Sequence, residues 1–142
     1  MKTHLETIEV VTENKQHMID VTQRVRECIA ASGIRNGFAG IFSQHTTAVV
    51  LVNEWQSALL EDIGEFLARV VEDGLPYKHN SPLFSDCTRQ NASSHLRSVL
   101  FSNSVLMPVQ NGEPVLGQFQ SVILAELDGP RSRTLKLQLM GE

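Results

Sequence analysis

The sequence predicts an α+β fold: one compact domain over residues 1–142, mainly antiparallel sheet, with about eight strands and about three helices. Three observations predict it. The last third of the chain is almost entirely β-prone and broken only by short turns, which join antiparallel neighbours. Helical periodicity occurs in three places only. Strands and helices do not alternate as they do in a doubly wound sheet.

Taken in order, residues 3–10 alternate Thr3, Leu5, Thr7, Ile8 and Val10 and read as a strand. Thr12-Glu13-Asn14-Lys15 reads as a turn, and His17 to Ile19 as a second strand closing a hairpin. Asp20 has the chemistry of a helix N-cap. Val21, Val25, Cys28 and Ile29 follow at helical spacing, and Gly33 ends the helix, since glycine accepts the left-handed backbone of a C-terminal cap. Gly37 to Gln44 is apolar and β-prone. Residues 46–52 are β-branched almost throughout and read as a strand buried on both faces. A second helix, about Gln56 to Val71, carries Leu59, Ile63, Phe66, Leu67 and Val70 on one face.

Asp73 to Arg89 is irregular and long for a compact domain, which marks it as functional or disordered. Asn91 is placed to cap a third helix that runs to about Leu100. Its apolar stripe is Ala92, Leu96, Val99 and Leu100, with His95 at the margin. Val105 to Val109 is a strand. Asn111-Gly112 is a type I′ hairpin signal, because both residues accept positive φ, and Val115 to Gly117 returns from it. Gln120 to Leu127 is a strand, Asp128-Gly129-Pro130 a turn, and Thr134 to Met140 a closing strand with Leu135, Leu137 and Leu139 on one face.

Composition excludes several classes. Twelve Lys and Arg against sixteen Asp and Glu give a formal net charge of −4, which disfavours non-specific nucleic-acid binding. No signal peptide and no apolar run of bilayer-spanning length occur, so the expectation is a cytoplasmic protein without a membrane partner. Cys28 and Cys87 have no metal-finger or redox spacing and read as two free thiols.

Candidate chemistry falls at the joints between elements. His4 and His17 have no polar company, whereas His45 follows a strand, His79 lies in the long loop and His95 sits on a helix margin. If those three imidazoles converge, they could ligate a zinc-like divalent metal with positions open for water or substrate. Their spacing matches no local metal motif such as HExxH. Glu126 and Asp128 are two apart at a strand end and could share a cation such as Mg²⁺, which prefers oxygen ligands. Arg131 and Arg133 could neutralise those carboxylates or bind a phosphate. Thr46, Thr47, Arg89, Asn91, Ser93 and Ser94 could line a phosphate site near the start of the third helix. Neither a P-loop, nor GxGxxG, nor GxSxG is present.

A set of segments, in this order and spacing, resembles one family. They are Ser43-Gln44-His45-Thr46-Thr47-Ala48, Val52-Asn53-Glu54, Tyr77-Lys78-His79-Asn80, Asp86 through Leu96, Leu116-Gly117-Gln118-Phe119-Gln120 and Glu126-Leu127-Asp128-Gly129-Pro130-Arg131. They are similar to the YjbQ-like family, also described as secondary thiamine-phosphate synthases, over nearly the whole chain. The resemblance implies a homotrimer with clefts near subunit boundaries, where histidines gather, in some members around a metal. It also implies a weak synthase activity that couples hydroxymethylpyrimidine diphosphate to thiazole phosphate. It places His45, His79 and His95 at the family's histidines, and Asn91, Glu126, Asp128 and Arg131 at its polar positions. Phe119 stands where many members have Trp, and Ser121 where many have Gly. Alternative readings are a metal-dependent hydrolase or lyase of a small phosphorylated metabolite, or a ligand-binding trimer without catalysis.

Overall fold

The computed structural model describes residues 1–142. Its elements are β1 (Lys2–Val11), β2 (His17–Asp20), α1 (Thr22–Ser32), β3 (Gly37–Ser43), β4 (Ala48–Glu54), α2 (Ser57–Val70), a single 3-10 turn (Lys78–Asn80), α3 (Ala92–Val99), β5 (Ser104–Gln110), β6 (Glu113–Pro114), β7 (Gln120–Glu126) and β8 (Ser132–Gly141). The eight strands form two antiparallel sheets, one ordered β1-β8-β3-β5-β6 and the other β2-β7-β4. The α+β class read from the sequence is the observed one.

The two sheets face each other across the main core. Alternation decides which side chains enter it. Leu135, Leu137 and Leu139 of β8, Ala39 and Ile41 of β3, and Ile8 and Val10 of β1 point inward. They meet Ala48 and Val50 of β4, Val122 and Leu124 of β7, and the Val25–Ile29 stripe of α1. The opposite face of the smaller sheet buries Val49 and Ala125 against Leu67 of α2. β4 is therefore covered on both faces, as its β-branched run requires. At the β5–β6 turn, Asn111 and Gly112 have φ of 55° and 81°, the hairpin geometry their sequence signals.

Four local expectations are corrected. β1 and β2 do not pair: β1 runs beside β8 over its whole length, and β2 pairs with β7 in the other sheet. Turn 12–16 instead lies against the β7–β8 turn, with the Thr12 amide donating to Arg131 O and the Gly129 amide to Lys15 O. Second, Asp20 ends β2 and Val21 is the N-cap of α1, although Asp20 Oδ1 still accepts from the Thr22 amide at 2.9 Å. Third, the return strand after the turn is Glu113–Pro114, not Val115 to Gly117.

The fourth correction matters most. α3 buries Ala92, Ser93, Ser94 and Arg97, while Leu96, Val99 and Leu100 face outward. Polar groups of neighbouring segments reverse the expected orientation. Ser94 Oγ donates to Leu127 O, Arg97 Nη2 donates to Val71 O, and Ser93 Oγ donates to Asp73 Oδ1. These hydrogen bonds outweigh the exposure of three aliphatic side chains, although Arg97 Nε stays buried without a partner.

The outer face of the larger sheet carries apolar side chains beside polar ones such as Thr7, Lys136 and Gln138. In register across it lie Leu5, Gln138, Gly40 and Leu106, and beside them Met140, Phe38 and Pro108. Leu5, Phe38, Phe42, Leu106 and Met140 are all exposed there. No helix is long and apolar enough to cross a membrane.

Candidate functional site

The β3–β4 connection delivers His45 and Thr46 to one end of the smaller sheet. Thr47 beside them is buried, its carbonyl accepting from the Leu127 amide at 3.0 Å. A cavity of about 510 Å³ opens between this connection and α3. His45, Thr46 and His95 line it, with Ser98, Ser102 and Asn103 at its polar margin. Those last three were missed from the sequence. The only sequence signal for them is the serine-rich stretch from Ser98, in the last turn of α3, to Ser104.

His95 also forms the wall of a second, more apolar cavity of about 350 Å³, with His79, Tyr77 and Leu96. The rings of His79 and His95 meet edge to face, 4.8 Å between centroids. The three histidines thus gather in a row: His79 touches His95, and His95 shares a cavity with His45.

Two carboxylates hold this row in place, by separate means. Glu126, at the end of β7, is wholly buried. Arg133 Nε donates to both of its oxygens at 2.8 and 3.0 Å, and Thr12 Oγ1 donates at 2.6 Å. The amides of Leu127 and Asp128 donate to Oε2. Arg133 Nη2 continues to Thr47 Oγ1 at 2.9 Å, which anchors the His45 connection. Thr12 Oγ1 also accepts from the Arg131 amide at 2.9 Å, which anchors the β7–β8 turn. Burial alone would raise the Glu126 carboxyl, but the Arg133 and Thr12 hydrogen bonds overcome it and the net shift is downward.

Asp128 serves the other side. Its Oδ2 accepts from Asn91 Nδ2 at 2.8 Å and from Arg89 and Arg131 at 3.2 Å each. Here too burial is overcome, chiefly by Asn91 and Arg89, and the carboxyl is held below its ordinary value. Asn91 Oδ1 then faces His79 Nε2 at 3.2 Å. Asn91 therefore occupies the N-cap position of α3 without making a side-chain capping hydrogen bond. The Ala92 amide is taken by Asn80 Oδ1 at 3.0 Å instead. Gly129 lets these turns pack: a Cβ there would lie 2.2 Å from the Asn14 carbonyl oxygen.

His45 and His95 are both shifted below the usual imidazole value. Partial burial is the main cause for each. The Arg133 and Arg131 guanidinia add to it at His45, and neighbouring His79 and Arg131 add to it at His95. Glu126 at His45 and Asp128 at His95 act in the opposite sense, but burial and the guanidinia outweigh them, and imidazoles held in the neutral form are suited to proton transfer.

The donor sets fit a divalent metal poorly. Glu126 and Asp128 share no oxygen site, because each is occupied by its own guanidinium and amide donors. No three His, Cys, Asp or Glu side chains come together in an arrangement that could hold a metal ion. His45 Nε2 is engaged by the Thr134 amide at 2.8 Å. Cys28 and Cys87 are both unpaired.

Comparison with known proteins agrees with this architecture. A family model described as UPF0047 protein YjbQ-like matches residues 6–142. A UPF0047 protein of Methanothermobacter thermautotrophicus is 38% identical over 142 residues, which is all of this chain and 95% of that one. The crystal structure of a YbjQ-like protein of unknown function from Sulfolobus solfataricus P2 superposes with a TM-score of 0.91 at 34% identity, covering 99% of both chains. That of a hypothetical protein from Aeropyrum pernix K1 gives 0.88 at 37% identity over the full length of both. With a matched family model across nearly its whole length, this chain belongs to the YjbQ-like UPF0047 family.

Proposed function

We propose that this protein binds a small phosphorylated molecule in the cavity between His45 and His95, and that its activity there is a weak thiamine-phosphate synthase-type coupling. The observation that carries the reading is the one cavity that His45 and His95 line together, with Thr46, Ser98, Ser102 and Asn103 as further hydrogen-bonding groups. In such a coupling, the bond from the pyrimidine methylene to diphosphate breaks as the bond to the thiazole nitrogen forms. The charge growing on the departing diphosphate needs donors already in place. His45, Thr46 and Ser102 line the cavity and are suited to that, and His95 is suited to hold or move a proton at its wall, while Arg131 stays bound to Asp128 behind the lining. The second reading, a metal-dependent hydrolase, has less support, because its three-histidine ligand set is not assembled within the chain.

The homotrimer is part of the proposal. The apolar face formed by Leu5, Phe38, Leu106 and Met140 supports it, since such a patch is costly in water and suited to burial against a copy of itself. The direct test supplies both precursors with Mg²⁺ and measures thiamine phosphate. The expected result is product from wild type and at least a tenfold loss in His95→Ala, the scale of a lost general acid or base. Equal trace product from both proteins would sink the synthase reading.

A further inference from the structure

The Thr134 amide donates to His45 Nε2 at 2.8 Å. A backbone N–H can only donate, so Nε2 must carry a lone pair. In the neutral ring the proton then sits on Nδ1. No protein group accepts from Nδ1, for the contact with Thr134 is the only side-chain hydrogen bond that His45 makes. Nδ1 is also not among the buried polar atoms lacking a partner, so solvent reaches it, and the ring that carries it lines the cavity. Glu126, the carboxylate whose charge His45 feels, is buried and already held by Arg133 and Thr12. The ring thus presents a fixed donor with nothing to receive it.

The same geometry bears on metal binding. A metal takes a lone pair from a neutral imidazole, usually while the other ring nitrogen donates its N–H to a neighbour. At His45 this pattern is reversed. The nitrogen that meets the protein accepts, and the solvent-reached nitrogen holds the proton. Ligation through Nδ1 would require an imidazolate. His79 differs: its Nε2 faces Asn91 Oδ1, whose amide is oriented by Asp128, so Nε2 carries the proton and Nδ1 the lone pair.

We infer that Thr134 locks His45 as an Nδ1–H donor whose partner is an oxyanion of the bound ligand, a phosphoryl oxygen, and that His45 is not a metal ligand. The ligand half of this inference rests on the proposed function; the tautomer does not. A neutral donor suits this place, because it gives a hydrogen bond to a phosphate without requiring the imidazole to charge beside two guanidinia.

Long-range nitrogen–proton correlation NMR of the histidine rings tests it in the intact chain. In the free protein, Nε2 of His45 is expected unprotonated and Nδ1 protonated. Inorganic phosphate is expected to move the Nδ1 resonance, and added zinc to leave it in place. A protonated Nε2, or a zinc-bound Nδ1, overturns the inference whatever phosphate does. The inferred tautomer with no response to phosphate overturns the ligand half, whereas the proposed function fails separately, in the assay with both precursors. Variants give a second readout, because the Asn side-chain amide places its N–H where His45 Nδ1 lies. His45→Asn is expected to bind phosphate close to wild type, and His45→Ala about tenfold more weakly, the scale of one hydrogen bond to a charged acceptor. Equal weakening in both variants would contradict the donor role.

Discussion

Replacing Glu126 with Gln removes the negative charge that compensates Arg133 in the interior, where the two side chains are 0% and 1% exposed. The carboxylate receives Arg133, Thr12 and two backbone amides, all of them donors. An amide has one oxygen to offer these groups and turns its own N–H toward the rest. The expected cost is roughly 3–5 kcal/mol, the range for breaking a buried pair by removing one partner. With a urea slope of about 2 kcal/mol/M, the unfolding midpoint falls by roughly 1.5–2.5 M. Equilibrium unfolding followed by circular dichroism measures it. The double change Glu126→Leu with Arg133→Met should recover much of the loss, since an apolar pair leaves no charge stranded. A single Glu126→Gln variant within about 1 kcal/mol of wild type would refute the reasoning, because ordinary surface substitutions cost no more than that.

Stability should fall in acid, since Glu126 and Asp128 are shifted down in the fold. Their contribution is complete above the unfolded carboxylate values near ~4 and is lost as pH drops through the lower folded values. Unfolding midpoints measured downward from pH 6 would show it, and Glu126→Gln should flatten the slope. Asn91→Leu cuts the path from Asp128 to His79 and is expected to free the His79 ring, read as loss of its fixed Nε2 proton by NMR. Arg97→Met strips the Val71 carbonyl of its partner and should cost about 1–3 kcal/mol in urea unfolding. Leu106→Asp, at a position 71% exposed in one chain, should convert the proposed trimer to monomers by light scattering while leaving far-ultraviolet circular dichroism unchanged.

Local periodicity made most elements legible. The Asn111-Gly112 turn, the alternating leucines of β8 and the β-branched run of β4 each state their environment within a few residues. Contacts distant in sequence were not legible. Thr12 reads as a turn residue, yet it binds Glu126 across 114 positions. α3 reads as amphipathic with its aliphatic stripe inward. It turns its polar side in because Asp73, Val71 and Leu127 wait there for donors. The histidines were legible as residues at joints between elements, and the structure brings them into a row. Their division of labour was not legible, since the amide that sets the His45 tautomer belongs to Thr134, 89 positions away, and a backbone donor leaves no trace in residue type. The carboxylates at 126 and 128 suggested a shared cation. Arg133 and Arg131 answer them separately.

The central claim is that the His45–His95 cavity receives a phosphorylated molecule. Titrating the isotope-labelled protein with thiazole phosphate, while following backbone and histidine-ring resonances, tests it most directly. The account predicts saturable shifts confined to His45, Thr46, His95 and the Ser98–Asn103 wall. Shifts centred elsewhere on the fold, or none up to millimolar ligand, would contradict it.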